Sequence, residues 1–307
     1  MIIDMPGTTA GAVAKRLIKI REEGGAIALG RVLTLIIVAE EDNITEAVDA
    51  ANDASREHPC RILVVANAND RTTDALDAEI RVGGDAGASE VIILRPSGGL
   101  VGHPDTLVMP LLLPDAPIVA WWPQNMPESP STDLIGAMAK IRITDSMNCT
   151  SPIDNLQVLR TNHEPGDIDL AWTRVTVWRG LLAAALDQAP FEPVVSAVVE
   201  GDESHPSVDL LAAWLARGLK CPVTVRRKGH AYAITRVVLT RKSGDIVLDR
   251  PDGRIATLSQ PGQPDHRIAL PVRQLRECLS EELRRLDPDE VYGEVLTKGL
   301  TRVEADA

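Results

Sequence analysis

The chain has 307 residues, of which 44% are hydrophobic and 25% charged, and it carries a formal net charge of −12 at pH 7. That length suits two domains with a core in each, and the balance is that of a globular protein rather than a disordered one. The acidic excess excludes a general nucleic-acid or anionic-membrane binder, because such partners require a basic footprint that neutralises phosphate.

The opening Met1-Ile-Ile-Asp-Met-Pro has no positive n-region and no apolar core behind it, so no secretory signal is expected and the cytosol is the expected location. Helical spacing through Val13, Leu17 and Ile20 follows Thr8 and Thr9 as candidate N-caps, and Gly24-Gly25 marks its stop. Residues 31–39 form a near-continuous apolar run, the signature of a strand covered on both faces. A helix over 45–57 and a second such strand over 60–66 complete a strand-helix-strand unit, which implies a parallel pair. Strands near 75–82 and 89–94 flank the turn Gly83-Gly84-Asp85-Ala86-Gly87 and read as an antiparallel extension.

The apolar stretch 107–122 is interrupted by Pro110, Pro114, Asp115 and Pro117, which makes it core rather than a membrane span. It contains a short strand over 118–122, followed by a proline-rich stretch to residue 130, a helix starting near 131, a strand over 140–144 and a helical piece over 153–159. Glu164-Pro165-Gly166-Asp167 is the expected boundary, giving lobes at 1–165 and 166–307.

The second half repeats the order: a helix over 169–187, a strand over 194–200, a helix over 208–217 and a strand over 222–226. Cys60 and Cys221 stand at the same offset as Val38 and Val199. Strands over 235–240, 245–248 and 254–258 follow, joined at Ser243-Gly244-Asp245 and Asp252-Gly253, and helices at 271–285 and 289–296 close the chain. The fold class expected is α/β, with two similar lobes, each a mixed sheet built on a βαβ unit with an antiparallel extension.

A search for chemistry is mostly negative. No Gly-x-x-x-x-Gly-Lys-Ser/Thr occurs, and no Gly-x-Gly-x-x-Gly follows a leading strand. The first strand-helix connection, Glu40-Glu41-Asp42-Asn43, would repel a phosphate at the helix N-terminus. The histidines show no metal-binding spacing, and Cys60, Cys149, Cys221 and Cys278 form no Cys-x-x-Cys pair, so no metal site and no cofactor are expected. Asp202 and Glu203 beside His205 fit a helix cap better than catalysis. The run Arg226-Arg227-Lys228 fits a solvated strand end. Ser97, Gly98, Gly99 and His103 form a weak candidate for an anion-binding nest, although a strand-to-loop turn calls for glycine in any case.

Tryptophan clustering is the most informative local feature. Four of the five tryptophans lie between Trp121 and Trp178 in a chain with two tyrosines and one phenylalanine. At 100° per residue the second cluster places Trp178, Ala171, Leu182, Val175, Leu186, Arg179 and Trp172 on one helical arc. Arg179 then sits inside an apolar stripe and must either meet a carboxylate or lie under another covering surface. Trp121 and Trp122 at a strand end point to opposite faces, so one ring is expected to meet something other than its own sheet. Two readings fit: packing on the Trp172 and Trp178 helix, or an interface anchor, since Trp and Arg are enriched in hot spots.

The segments Leu111-Leu-Leu-Pro-Asp-Ala-Pro-Ile-Val-Ala-Trp-Trp-Pro, Ile143-Thr-Asp-Ser and Asp169-Leu-Ala-Trp-Thr-Arg-Val-Thr-Val-Trp-Arg-Gly-Leu-Leu-Ala resemble the glucose-6-phosphate dehydrogenase assembly protein family, OpcA. Gly30-Arg-Val-Leu-Thr-Leu and Ser97-Gly-Gly-Leu are similar to it as well. The resemblance implies a non-catalytic protein that binds glucose-6-phosphate dehydrogenase, promotes its active oligomer and raises its activity, feeding NADPH production in the oxidative pentose phosphate pathway. Redox control in the family relies on closely spaced cysteines in some members, and this chain has none. Trp121, Trp122, Pro123, Arg174, Trp178 and Arg179 are the candidate partner-binding residues, chosen by residue type and clustering. The alternative is a sugar-phosphate or nucleotide sensor using the loop from Ser97 to His103.

Overall fold

A computed structural model of the chain describes residues 1–23, 32–67, 72–83, 90–229 and 231–305. The stop at Gly24-Gly25, residues Gly30 and Arg31, and the turn from Gly84 to Gly87 lie outside them. Two compact units emerge: residues 1–145 with 275–288, and residues 146–274 with 289–307. The first division falls earlier than the Glu164 to Asp167 loop, and a late segment returns to the first unit.

The first unit is built on β1 (Ile2–Met5), α1 (Ala10–Glu23), β2 (Leu33–Glu40), α2 (Ile44–Ser55), β3 (Cys60–Asn67), β4 (Ala75–Arg81), β5 (Glu90–Ser97), α3 (Pro104–Val108), β6 (Ile118–Trp122) and β7 (Ile141–Thr144). Its strands are ordered β1-β4-β5-β3-β2-β6-β7. From β5 to β7 all neighbours are parallel, whereas β4 runs antiparallel to β5 and β1 antiparallel to β4. Burial follows pairing: β2 and β3 are buried almost throughout, as strands covered on both faces must be, while β4 alternates buried and half-buried positions. Thr9 caps α1 as expected, its hydroxyl accepting from Ala12 N at 3.2 Å. At the amino end of the sheet Glu90, 1% exposed, accepts from Arg61 Nε and Arg21 Nη2, each at 2.8 Å.

In the second unit come α4 (Pro152–Asn162), the short extended β8 (Asp167–Asp169), α5 (Leu170–Thr173), α6 (Thr176–Leu186), β9 (Ser196–Asp202), α7 (Pro206–Leu219), β10 (Val223–Lys228), β11 (Ile234–Thr240), β12 (Ile246–Asp249), β13 (Ile255–Ser259) and β14 (His266–Ala269). The chain then forms α8 (Leu275–Arg284), which belongs to the first unit, and comes back for α9 (Glu290–Glu294) and β15 (Val303–Ala305). The second sheet is ordered β14-β13-β12-β11-β9-β10-β15, with β9, β10 and β15 parallel and the rest antiparallel. Helix α8 is tied to α2 by Arg276 with Asp53 at 3.7 Å and to the turn after α2 by Arg284 with Glu57 at 3.6 Å.

Both units are therefore mixed α/β sheets carrying a βαβ unit and an antiparallel extension. The extensions attach differently, however. In the first unit the extension reaches β3, the second strand of its βαβ unit, through β5; in the second unit β11 pairs with β9, the first strand. The common sequence offset thus describes the βαβ units and does not extend to one shared strand order. Two further differences have local causes. The helix expected near 131 is a series of turns and one 3₁₀ turn, Gly136–Met138, wound around Asp133, whose carboxylate accepts from Ile135 N and Gly136 N. The helix expected over 169–187 breaks into α5 and α6 at Arg174 and Val175, where Thr173, Val175 and Thr176 put three β-branched side chains in four positions.

Candidate functional site

Both rings at the end of β6 are interior. Trp121 is 0% exposed and Trp122 2%, and Pro123 is buried beside them. Alternation sends the rings to opposite faces: Trp122 joins the core cluster containing Ile36, Leu63 and Ile135, and Trp121 does not. The face expected to anchor a partner through these rings is accordingly not presented at the surface of the chain.

The α5–α6 junction carries the second tryptophan pair, Trp172 and Trp178. Trp172 donates from Nε1 to Asp289 at 2.8 Å, lies 6.0 Å from the Tyr292 ring, and has the Arg179 guanidinium 3.5 Å above its centroid. Arg179 is half-buried and also donates to the Thr176 hydroxyl at 3.0 Å. The helical arc expected from sequence thus brings Arg179 onto an aromatic face, a contact that a planar guanidinium makes well. Asp289 uses its second oxygen to cap α9, accepting from Tyr292 N at 2.9 Å.

Trp178, 2% exposed, lies under a second arginine: the Arg250 guanidinium is 4.9 Å from its ring centroid. Arg250 is itself 2% exposed and donates to the carbonyls of Leu270, Tyr232 and Ile234 at 3.0, 2.9 and 2.6 Å. These two residues border a small notch of about 20 Å³ with Arg174, Arg273, His205 and Ser207. Arg273 is anchored by donation to the Thr173 carbonyl at 2.7 Å, and Ser207 Oγ donates to the Ala171 carbonyl at 2.7 Å.

His205 caps α7, its Nδ1 accepting from Ser207 N at 3.3 Å, in line with the capping role expected there. Burial, then the charges of Arg174 and Arg250, lower its pKa to about 4 against the opposing pull of Asp202. The ring is therefore neutral near pH 7, as an accepting Nδ1 requires. Burial likewise pulls Arg250 down to about 10, which still leaves it charged. Arg250, Arg273 and Ser207 carry no sequence motif. Arg250 is nevertheless legible from alternation, because Ile246, Leu248 and Arg250 occupy successive inward positions.

The loop Ser97-Gly98-Gly99 does gather an anion, but the anion is internal. Gly98 has φ +60°, and Gly99 N donates to Asp74 Oδ1 at 2.6 Å. Ser97 Oγ is spent on the carbonyls of Thr73 and Ala75, and His103 is exposed. The candidate nest is filled by the chain's own carboxylate. The run Arg226-Arg227-Lys228 is similarly occupied: Arg226 and Lys228 lie 3.6 and 2.5 Å from Glu200, and Arg227 lies 2.6 Å from Asp209.

Strand order in the first unit reverses between β2 and β6, the place where open parallel sheets form a ligand crevice beyond their carboxyl ends. A cavity of about 300 Å³ lies there, bordered by Val38, Val65, Gly102, Pro104, Trp122 and Asn125. The residues do not fit a dinucleotide. In place of a glycine turn, Glu40 accepts from Asn125 at 3.2 Å and Glu41 from Arg95 at 2.8 Å, so carboxylates occupy the position a pyrophosphate would need. Among the described residues no group of three or more His, Cys, Asp or Glu could hold a metal, and no helix is long and apolar enough to cross a membrane. The four cysteines are free thiols.

Comparison with known proteins gives two family matches. Residues 51–161 match the N-terminal domain of the glucose-6-phosphate dehydrogenase subunit family, and residues 165–296 match the C-terminal domain of the same family. No curated protein sequence matches the chain. Similar solved structures include KijD10, a 3-ketoreductase from Actinomadura kijaniata in complex with NADP, at 10% identity and a TM-score of 0.48, covering 89% of this chain and 98% of that one. An NAD binding oxidoreductase from Klebsiella pneumoniae has 8% identity and a TM-score of 0.46, with coverage of 88% and 95%. A myo-inositol dehydrogenase from Lactobacillus casei has 10% identity and a TM-score of 0.43, with coverage of 89% and 93%.

Proposed function

Because this chain belongs to the family of glucose-6-phosphate dehydrogenase assembly subunits, OpcA, we propose that it binds glucose-6-phosphate dehydrogenase, favours its active oligomer and raises its activity without chemistry of its own. The observation that carries this reading is that both family domains match, in order, across most of the chain. The acidic strand-helix connection and the scattered histidines agree with it. In this reading the protein acts in the cytoplasm and supports NADPH production through the oxidative pentose phosphate pathway.

An activator of this kind works by differential affinity. If the dehydrogenase has two states, this protein binds the active one better, and activation is no larger than that difference. Of the six residues singled out by sequence, Arg174 and Arg179 keep accessible surface and are the proposed contacts. Trp121, Trp122, Pro123 and Trp178 serve the cores beneath. The test is the steady-state activity of the cognate dehydrogenase with and without this protein, with co-elution on a sizing column. A saturable rise in activity and a larger complex are expected; no binding and no change would sink the reading.

A second reading has one observation in its favour, the 300 Å³ crevice beside Gly102 in the first unit. It makes the protein a sensor of a small sugar phosphate or nucleotide. A rise in melting temperature of the isolated protein with glucose 6-phosphate or NADP would support it. The carboxylates of Glu40 and Glu41 in the connection that follows β2 weigh against a phosphate ligand.

A further inference from the structure

The notch in the second unit combines features that a structural role leaves unexplained. Arg250 is 2% exposed, its three hydrogen-bond acceptors are uncharged carbonyls, and among the described residues its Nε has no partner. The acid that bears on it, Asp252, is committed to its own turn, accepting from Arg254 N and Ile255 N at 2.9 Å each. Arg174 and Arg273 border the same space, and among the described residues its lining contains no carboxylate. This concentration of guanidinium groups stands out in a chain with a net charge of −12. The amino end of α7, fourteen residues long, adds the positive end of its dipole beside His205 and Ser207. A buried guanidinium with an unfilled donor favours a counter-anion in the adjoining space.

We infer that this notch is a binding site for a single carboxylate group. Its free volume of about 20 Å³ sets the class. So small a space, open to solvent at one side, favours the smallest common anionic group, a planar carboxylate that matches a planar guanidinium, over a bulkier tetrahedral phosphate. Val272, 42% exposed, and half-buried Arg174 form the mouth, so the rest of the ligand remains outside. Arg250 supplies a fixed charge from below, held by its carbonyls and by Trp178, and the neutral His205 ring forms part of the wall. The carboxylate comes either from an acidic side chain of a bound protein or from a free small acid. The site itself stands whether or not the dehydrogenase is the partner.

The experiment is thermal unfolding of the full chain near pH 7.5 in sodium acetate, sodium phosphate and sodium chloride at equal ionic strength. Acetate is expected to raise the melting temperature by about 3 °C over chloride at a tenfold excess above its Kd. The gain should disappear in Arg273→Gln and in Arg174→Gln; the latter is at a half-buried position and guards against loss of folding in the former. No gain over chloride, a gain retained in both variants, or a larger gain with phosphate would each overturn the assignment. Adding acetate to the co-elution assay separates the sources: displacement of the dehydrogenase points to its acidic side chain, and undisturbed co-elution points to a free acid.

Discussion

Truncation of Trp122 to alanine separates a core ring from an interface ring. The side chain is 2% exposed within the cluster that includes Ile36, Leu63 and Ile135. Burial of about 200 Å² at roughly 25 cal/mol per Å² stabilises the first unit by about 5 kcal/mol, and tryptophan truncations in cores cost about 3–5 kcal/mol. The ring also borders the 300 Å³ crevice, so its removal opens that crevice further and admits water, with few neighbours able to collapse into the space. An expected loss of about 4 kcal/mol is a large share of the stability of a typical domain. Urea unfolding followed by far-UV circular dichroism reads it, with the transition of the first unit moving to lower urea and that of the second unit unchanged. Trp122→Phe should recover more than half of the loss. The reasoning is refuted if Trp122→Ala keeps the wild-type midpoint and yet fails to bind or activate the dehydrogenase, for the ring would then belong to a partner face.

Two further predictions concern the second unit. His205 has a folded pKa of about 4 against an ordinary 6.5, so the unfolded chain takes up the proton first. Its contribution is full above pH 6.5 and declines between pH 6.5 and 4 by about 3 kcal/mol; His205→Asn, which keeps a capping acceptor, should flatten that part of a stability-versus-pH curve. Asp289→Ala removes the acceptor of the Trp172 indole and the cap of α9 together, and should cost about 2–3 kcal/mol in urea unfolding, with Asp289→Asn losing clearly less.

Long apolar runs and glycine punctuation make most of the architecture readable. β2, β3 and β9 follow from their burial on the central part of each sheet, β10 from its apolar first half, and α7 from its periodicity and cap. Strands β1 and β14, which have no buried position, and the three-residue β15 escape that reading, whereas the equally short β7 and β12 carry buried apolar residues that register. The equal offsets of Cys60 and Val38 with Cys221 and Val199 reflect two βαβ units, but sequence spacing contains nothing about which side of such a unit its extension joins. The four clustered tryptophans are all buried. Whether a ring is covered by its own chain depends on distant residues, such as Leu63 for Trp122 and Asp289 for Trp172, and local pattern is blind to those. The Ser97 loop shows the same limit, since its anion comes from Asp74 on the preceding strand connection.

Helix α8 has a consequence for the life of the chain before it is folded. It rests against α2 but is encoded after almost all of the second unit. On the ribosome, the side of α2 that α8 covers must wait for residues 275–288 to emerge, so amino-terminal-first completion is denied to this protein. A fragment ending at residue 145 lacks that cover, and a clean separation of the units needs the 275–288 segment supplied in trans or grafted onto the shortened chain. Loss of a late stretch of chain is thereby felt in the unit made first.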